Sequence, residues 1–126
     1  MKILLCEDDT NIATITKLTL EHIGHHEVIW VTDGQEAYAR GSSEKFDVIL
    51  MDDMMPKMSG ASVCAAFVKL EKKIAPVIFM SANPQEKKVA EFNTVAIGYI
   101  PKPFDPMTLN TQITEILNLY SDKKSA

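Results

Sequence analysis

Cysteine is scarce in this chain, apolar runs are short and positive charge is in the minority. The two cysteines among 126 residues, Cys6 and Cys64, do not have metal-ligand spacing, and no histidine cluster stands with them. Two buried free thiols are therefore expected, and nothing in the sequence supports a redox role. No run approaches the ~18 apolar residues of a membrane span. The opening stretch, Met1-Lys2-Ile3-Leu4-Leu5-Cys6-Glu7-Asp8-Asp9, is too short in its apolar part for a signal peptide and turns acidic at once. A cytoplasmic protein without membrane insertion is expected. The formal net charge of -4 gives no global basic field, so direct binding to nucleic acid is not expected. Internal repeats, low-complexity segments and linkers are absent.

What remains is the composition of one domain of ordinary size, with 46% hydrophobic residues to build a core. The domain is expected over residues 1–120, followed by a polar, frayed tail over 121–126. Short apolar runs alternate with helical stripes. Strands are expected at Ile3–Cys6, Val28–Val31, Val48–Met51, Pro76–Met80 and Ala96–Ile100. The first helix, capped by Thr10 or Asn11, shows Ile12, Ile15, Thr19 and Ile23 on one face and ends at Gly24. A second starts at Asp33-Gly34 and stops near Gly41-Ser42-Ser43. The third buries Val63, Cys64, Phe67 and Leu70. A fourth starts at Asn83-Pro84 with a thin stripe of Val89 and Phe92. The last opens at Asp105-Pro106 and carries Leu109, Ile113, Ile116, Leu117 and Tyr120. Five strands alternating with five helices predict an α/β fold, a doubly wound, flavodoxin-like parallel sheet. Pattern alone does not give strand order. The common five-strand order, 2-1-3-4-5, puts the ends of strands one and three side by side.

That order matters because of where the acids fall. Val48-Ile49-Leu50-Met51 reads as a strand buried on both faces, and Asp52 stands at its carboxyl end, where open α/β sheets bind ligands. The end of strand one brings Glu7 and Asp8 to the same rim. Three converging carboxylates repel one another unless a cation intervenes, and oxygen-only ligands with room for water suit Mg2+. Asp9 is expected to cap the first helix. Asp53 is expected to be ordinary, since neighbouring extended residues point opposite ways. Ser81 and Lys102 reach the same rim from strands four and five. They add a hydroxyl and a fixed cation, the partners a doubly charged oxyanion needs. Ala82 leaves space for it, and the Lys102-Pro103 bond is a candidate cis peptide.

The motifs Ile3-Leu4-Leu5-Cys6-Glu7-Asp8-Asp9, Asp47-Val48-Ile49-Leu50-Met51-Asp52, Met54-Met55-Pro56-Lys57-Met58-Ser59-Gly60, Ser81-Ala82 and Gly98-Tyr99-Ile100-Pro101-Lys102-Pro103-Phe104 resemble a bacterial response-regulator receiver domain of the chemotaxis type. The resemblance runs over the whole chain. It implies that Asp52 is the phosphoacceptor and that Glu7, Asp8, Asp52 and the Met54 carbonyl hold Mg2+. It implies that Ser81 and Lys102 bind phosphoryl oxygens, that Ser81 and Tyr99 are switch residues, and that Met54 and Asn83 tune dephosphorylation. The implied partners are a histidine kinase or histidine phosphotransfer protein and a downstream effector protein or domain, and a phosphorylation-dependent dimer is compatible with it. Catalysis would be limited to the chain's own phosphorylation and slow dephosphorylation, with the signal passed through the face of the fourth helix, fifth strand and fifth helix. Ser59 departs from the aspartate common before the glycine, and residues 86–97 match poorly.

Other readings fit less well. A haloacid dehalogenase-type phosphatase would need its nucleophilic Asp where Cys6 stands. A flavin binder needs a phosphate cradle where three acids lie. A pseudo-receiver acting only as an interaction module would not keep every position the chemistry needs. The sequence leaves open whether the chain is a stand-alone receiver or a piece of a larger regulator or hybrid kinase.

Overall fold

The structure, a computed structural model, describes residues 1–81 and 96–125, with side chains through 121. The helix expected after Asn83, together with Ala82 and Asn83, lies outside the described residues. Strands β1 (Lys2–Cys6), β2 (Glu27–Val31), β3 (Val48–Asp52), β4 (Val77–Ser81) and β5 (Ala96–Pro101) form one parallel sheet in the order β2-β1-β3-β4-β5. The expected strands and the expected order are both found. β3 is central and every residue in it is buried, as a strand covered on both faces must be.

Strand alternation divides the core into two layers. Ile3, Leu5, Leu50, Ile78 and Met80 face one side, where Ala13 and Leu20 of the first helix and Leu109 and Ile113 of the C-terminal helix cover them. Leu4, Cys6, Ile49, Met51 and Phe79 face the other, under Ala37 of α2 (Gly34–Ser43) and Val63, Cys64 and Phe67 of α3 (Gly60–Val68). Both cysteines are free thiols in this second layer. Burial pushes Cys64 up to about 12 and Cys6 well above its ordinary value, so both are protonated and unreactive.

The first helix, α1 (Thr10–Leu18), is capped by Asp9, as expected of that acid: its Oδ1 accepts from the Ile12 amide at 3.1 Å, and the other candidates, Thr10 and Asn11, lie inside the helix. Its buried face is Ala13, Thr16 and, in the π-helical turn that continues it (Thr19–Ile23), Thr19 and Leu20. Ile15 and Ile23 are each 51% exposed. Of the expected face, Thr19 is buried, and Ala13, Thr16 and Leu20 complete the face turned to the sheet. Thr16 satisfies its hydroxyl on the Ile12 carbonyl at 2.7 Å, so burying it leaves no orphaned polar group. Gly24 does end the turn, but the left-handed residue is His25, at φ 57°.

The C-terminal helix starts at Leu109, after a turn held by Asp105, whose carboxylate accepts from the Met107 amide at 2.9 Å. It runs on to Ser125, past the Tyr120 at which its expected stripe ended. Among the described residues, no helix is long and apolar enough to cross a membrane.

Candidate functional site at the carboxyl rim

The crossing from β1 to α1 and the end of β3 meet because β1 and β3 are neighbours, with Cys6 paired to Met51. Glu7, Asp8 and Asp52 each offer a carboxylate oxygen within 4.8 Å of the others. Glu7 and Asp52 are buried, at 2% and 8% exposure, and Asp8 faces solvent. Glu7 is held by its backbone: its amide donates to the Val31 carbonyl at 3.1 Å, and its carbonyl accepts from the Trp30 indole at 2.8 Å. This anchor from β2 has no signature in the sequence beyond an aromatic in a strand.

Lys102 reaches the cluster from the end of β5. Its Nζ lies 2.5 Å from Glu7 Oε1 and 3.4 Å from Asp52 Oδ2, and its backbone amide donates to the Ser81 carbonyl at 2.7 Å. The Lys102-Pro103 bond is cis. Burial works against the lysine's charge, but the hydrogen bond to Glu7 and the charge of Asp52 outweigh it and hold its pKa above the ordinary value. Asp52 is pushed up to about 8, first by burial, then by its hydrogen bond with Glu7 and by Glu7's charge; Lys102 and the Met54 amide pull the other way. Burial and the neighbouring Glu7 carboxylate together favour the protonated form of Asp52 over what Lys102 can offset.

The donor set fits a hard divalent cation. It is all oxygen, open on the Asp8 side, and its mutual repulsion is what a cation would relieve. The loop beyond β3 is pinned at both ends. The Met54 amide donates to Asp52 Oδ1 at 3.3 Å, while the Met54 side chain is 75% exposed. At the far end the Gly60 amide donates to the Asp53 carbonyl at 3.1 Å. A Cβ on Gly60 would lie 2.6 Å from the Asp52 carbonyl oxygen. On its outer side the loop docks on the start of α2. The Gly34 amide donates to the Pro56 carbonyl at 3.1 Å, Lys57 pairs with Asp33 at 3.4 Å, and a Cβ on Gly34 would lie 1.9 Å from the Met58 carbonyl oxygen. In the sequence Asp33-Gly34 read as a turn; its second task, seating the loop, needs the fold. Ser59 accepts from the Ser62 amide at 3.2 Å and so caps α3 in place of an aspartate.

Of the residues singled out in the sequence, Glu7, Asp8, Asp52 and Lys102 come together. Ser81 is buried at the same rim, but its hydroxyl donates to Asp53 Oδ2 at 3.0 Å. Asp53, expected to be ordinary, therefore takes part in the site's surroundings. Tyr99 sits on β5 at 36% exposure. Beside the rim, Ile12 and Ile15 of α1, with Lys102, Pro103, Phe104 and Pro106, line an apolar cleft of about 420 Å³. The helical spacing of Ile12 and Ile15 marks one face of α1 in the sequence, but not that this face borders the site.

Comparison with known proteins agrees with this geometry. Residues 3–114 match the model of the response regulator receiver domain. The chain is 35% identical over 117 residues to the alkaline phosphatase synthesis transcriptional regulatory protein PhoP of Bacillus subtilis (strain 168), covering 92% of this chain and 48% of that protein. It spans about half the length of the first two curated relatives it matches. Among solved structures, chemotaxis protein CheY4 of Vibrio cholerae aligns with a TM-score of 0.80 at 32% identity, covering 91% of this chain and 97% of that one. The receiver domain of a sensor histidine kinase of Pseudomonas aeruginosa PAO1, with a magnesium ion coordinated in its active-site cleft, aligns with a TM-score of 0.80 at 26% identity, covering 93% and 97%.

Proposed function

Because the chain belongs to the response-regulator receiver family, we propose that it is a phosphorylation-dependent signalling switch in which Asp52 accepts a phosphoryl group from a phosphohistidine. The observation that carries this reading is the placement of Asp52: at the end of a buried strand, within 4.8 Å of Glu7 and Asp8 and 3.4 Å from the Lys102 ammonium. An Asp52 carboxylate oxygen attacks phosphorus, the phosphorus–nitrogen bond to the donor imidazole breaks, and its electron pair stays with the imidazole. Lys102 offsets charge on the phosphoryl oxygens, and the backbone contacts of Glu7 and Met54 hold the site in place. Mg2+, held by Glu7, Asp8, Asp52 and the Met54 carbonyl, supplies further positive charge there when bound.

The acyl phosphate brings about -1.5 to -2 charge and three acceptor oxygens to the rim. Ser81 is drawn towards it and Tyr99 turns into the space vacated, a population shift between two packings that is read on the β5 side. The donor, a histidine kinase or histidine phosphotransfer protein, docks an apolar helix face in the cleft of Ile12, Ile15 and Phe104. Lys102 lines both the cleft and the site, so an occupant of the cleft stands within reach of Asp52. The exposed, apolar Met54 offers an attacking water no strong hydrogen bond, which favours slow loss of the phosphoryl group. The naming of the curated relatives as transcriptional regulators favours an output at transcription, through an effector protein or domain, over a motility switch.

The test is mass spectrometry after incubation with a small phosphodonor and Mg2+. Wild type should gain one phosphoryl group and Asp52→Asn none. Equal gain in both proteins would remove Asp52 from the role.

A further inference from the structure

The hydrogen bond from Ser81 to Asp53 has a geometric cause. Asp52 pairs with Met80 across β3 and β4, so one step further the register brings Asp53 opposite Ser81. Side chains of paired residues in a parallel sheet share a face. The alternation that turns Asp53 away from Asp52 turns Ser81 with it, towards the face that carries Met51 and Phe79. Both ends are fixed by backbone. The Asp53 carbonyl accepts from Gly60, and the Ser81 carbonyl accepts from Lys102. Ser81 is 7% exposed and Asp53 is half-buried, so the bond is partly shielded from competing water.

A hydroxyl has one proton to donate. The Ser81 proton given to Asp53 at 3.0 Å is not available to a phosphoryl oxygen on Asp52. We propose that Asp53 is a latch: its carboxylate holds the Ser81 hydroxyl in the resting arrangement, and phosphorylation of Asp52 must break that bond to draw Ser81 across. Asp53 is thus a positioning residue that acts through Ser81, setting how far the unphosphorylated protein already populates the active packing. This inference rests on the receiver reading and assigns to one further residue the regulation of that site. A hydrogen bond to a charged acceptor is stronger than a neutral one, so the latch biases the equilibrium towards rest, and the apparent affinity for any group that needs the other packing is reduced accordingly.

Beryllofluoride with Mg2+, a phosphoryl mimic, is titrated into wild type, Asp53→Ala, Asp53→Asn, Ser81→Ala and the Asp53→Ala/Ser81→Ala double variant. Binding is followed by calorimetry and the Tyr99 ring by NMR. Asp53→Ala should bind the mimic about tenfold more tightly than wild type and shift the free-state Tyr99 signal towards its bound position. Asp53→Asn, which drops the charge but keeps an oxygen acceptor, should tighten binding by less than Asp53→Ala, because a weaker neutral hydrogen bond still holds Ser81. In the Ser81→Ala background, Asp53→Ala should change nothing, because the latch has nothing to hold. Asp53→Val likewise lacks an acceptor and replaces Asp53→Ala if that variant does not fold. Equal tightening in Asp53→Ala and Asp53→Asn would assign the effect to charge and overturn the latch. Undiminished tightening in the Ser81→Ala background would overturn it too, as would an Asp53→Ala variant that binds like wild type. If no protein in the set bound beryllofluoride, the receiver reading itself would fall and the latch with it.

Discussion

Asp52 meets two opposing demands. Burial holds it rigidly, and reaction needs it ionised. Its pKa of about 8 in the folded protein lies above the value of about 3.9 expected in the unfolded chain. Between those values the native state binds more protons than the unfolded state, so this group's contribution to stability is present at low pH and is lost as pH rises towards 8. His26 acts in the opposite sense, since burial and then the neighbouring amino terminus lower its pKa. Comparison with Asp52→Asn isolates the aspartate. Metal-free wild type should lose melting temperature relative to Asp52→Asn as pH goes from about 5 to about 8, and Mg2+ should remove the difference by taking the proton's place. Thermal melts across pH, with chelator and with millimolar Mg2+, test it; a gap between the two proteins that does not change with pH would contradict the assignment.

At the scale of the element, α1 shows how one helix serves packing and recognition with different faces. Ala13 and Thr16 go to the sheet, which leaves Ile15 about half exposed and lining the cleft. Ile15→Lys should cost little stability, within about 0.5 kcal/mol, as exposed substitutions do. Transfer from a histidine donor should slow about tenfold or more, the scale of an interface anchor, while phosphorylation by a small phosphodonor stays unchanged. Measuring both rates on one preparation separates docking from chemistry. A parallel fall in both would place the defect in the site, and no fall in either would remove α1 from the interface.

For the whole molecule, the central strand joins two hydrophobic layers and ends in the site, so stability and function share one support. Leu50 is fully buried in the layer between the sheet and α1 with the C-terminal helix. Leu50→Ala should destabilise by about 2–5 kcal/mol, a large part of the 5–15 kcal/mol that is typical of a domain. Urea denaturation measures it. A loss under about 1 kcal/mol would mean that the layer closes around the gap more readily than close packing allows.

Much was determined by the sequence alone. Five short apolar runs between helical stripes dictate a doubly wound sheet, because only strands buried on both faces tolerate such runs. Asp52, Glu7, Asp8 and Lys102 were legible because each lies at or within two residues of a strand's carboxyl end, and strand ends of a parallel sheet share one rim. Tertiary structure decided what local pattern leaves degenerate. α1 offered two stripes at similar spacing, and only packing against the sheet decided that Ala13, Thr16 and Leu20 are buried while Ile15 and Ile23 are half exposed. Asp53 and Ser81 lie 28 positions apart, and only the register of β3 against β4, set by packing on both faces, brings carboxylate and hydroxyl together. Trp30 reaches Glu7, and Gly34 seats the loop beyond Asp52, for the same reason: both contacts run between elements that meet only once the sheet is assembled.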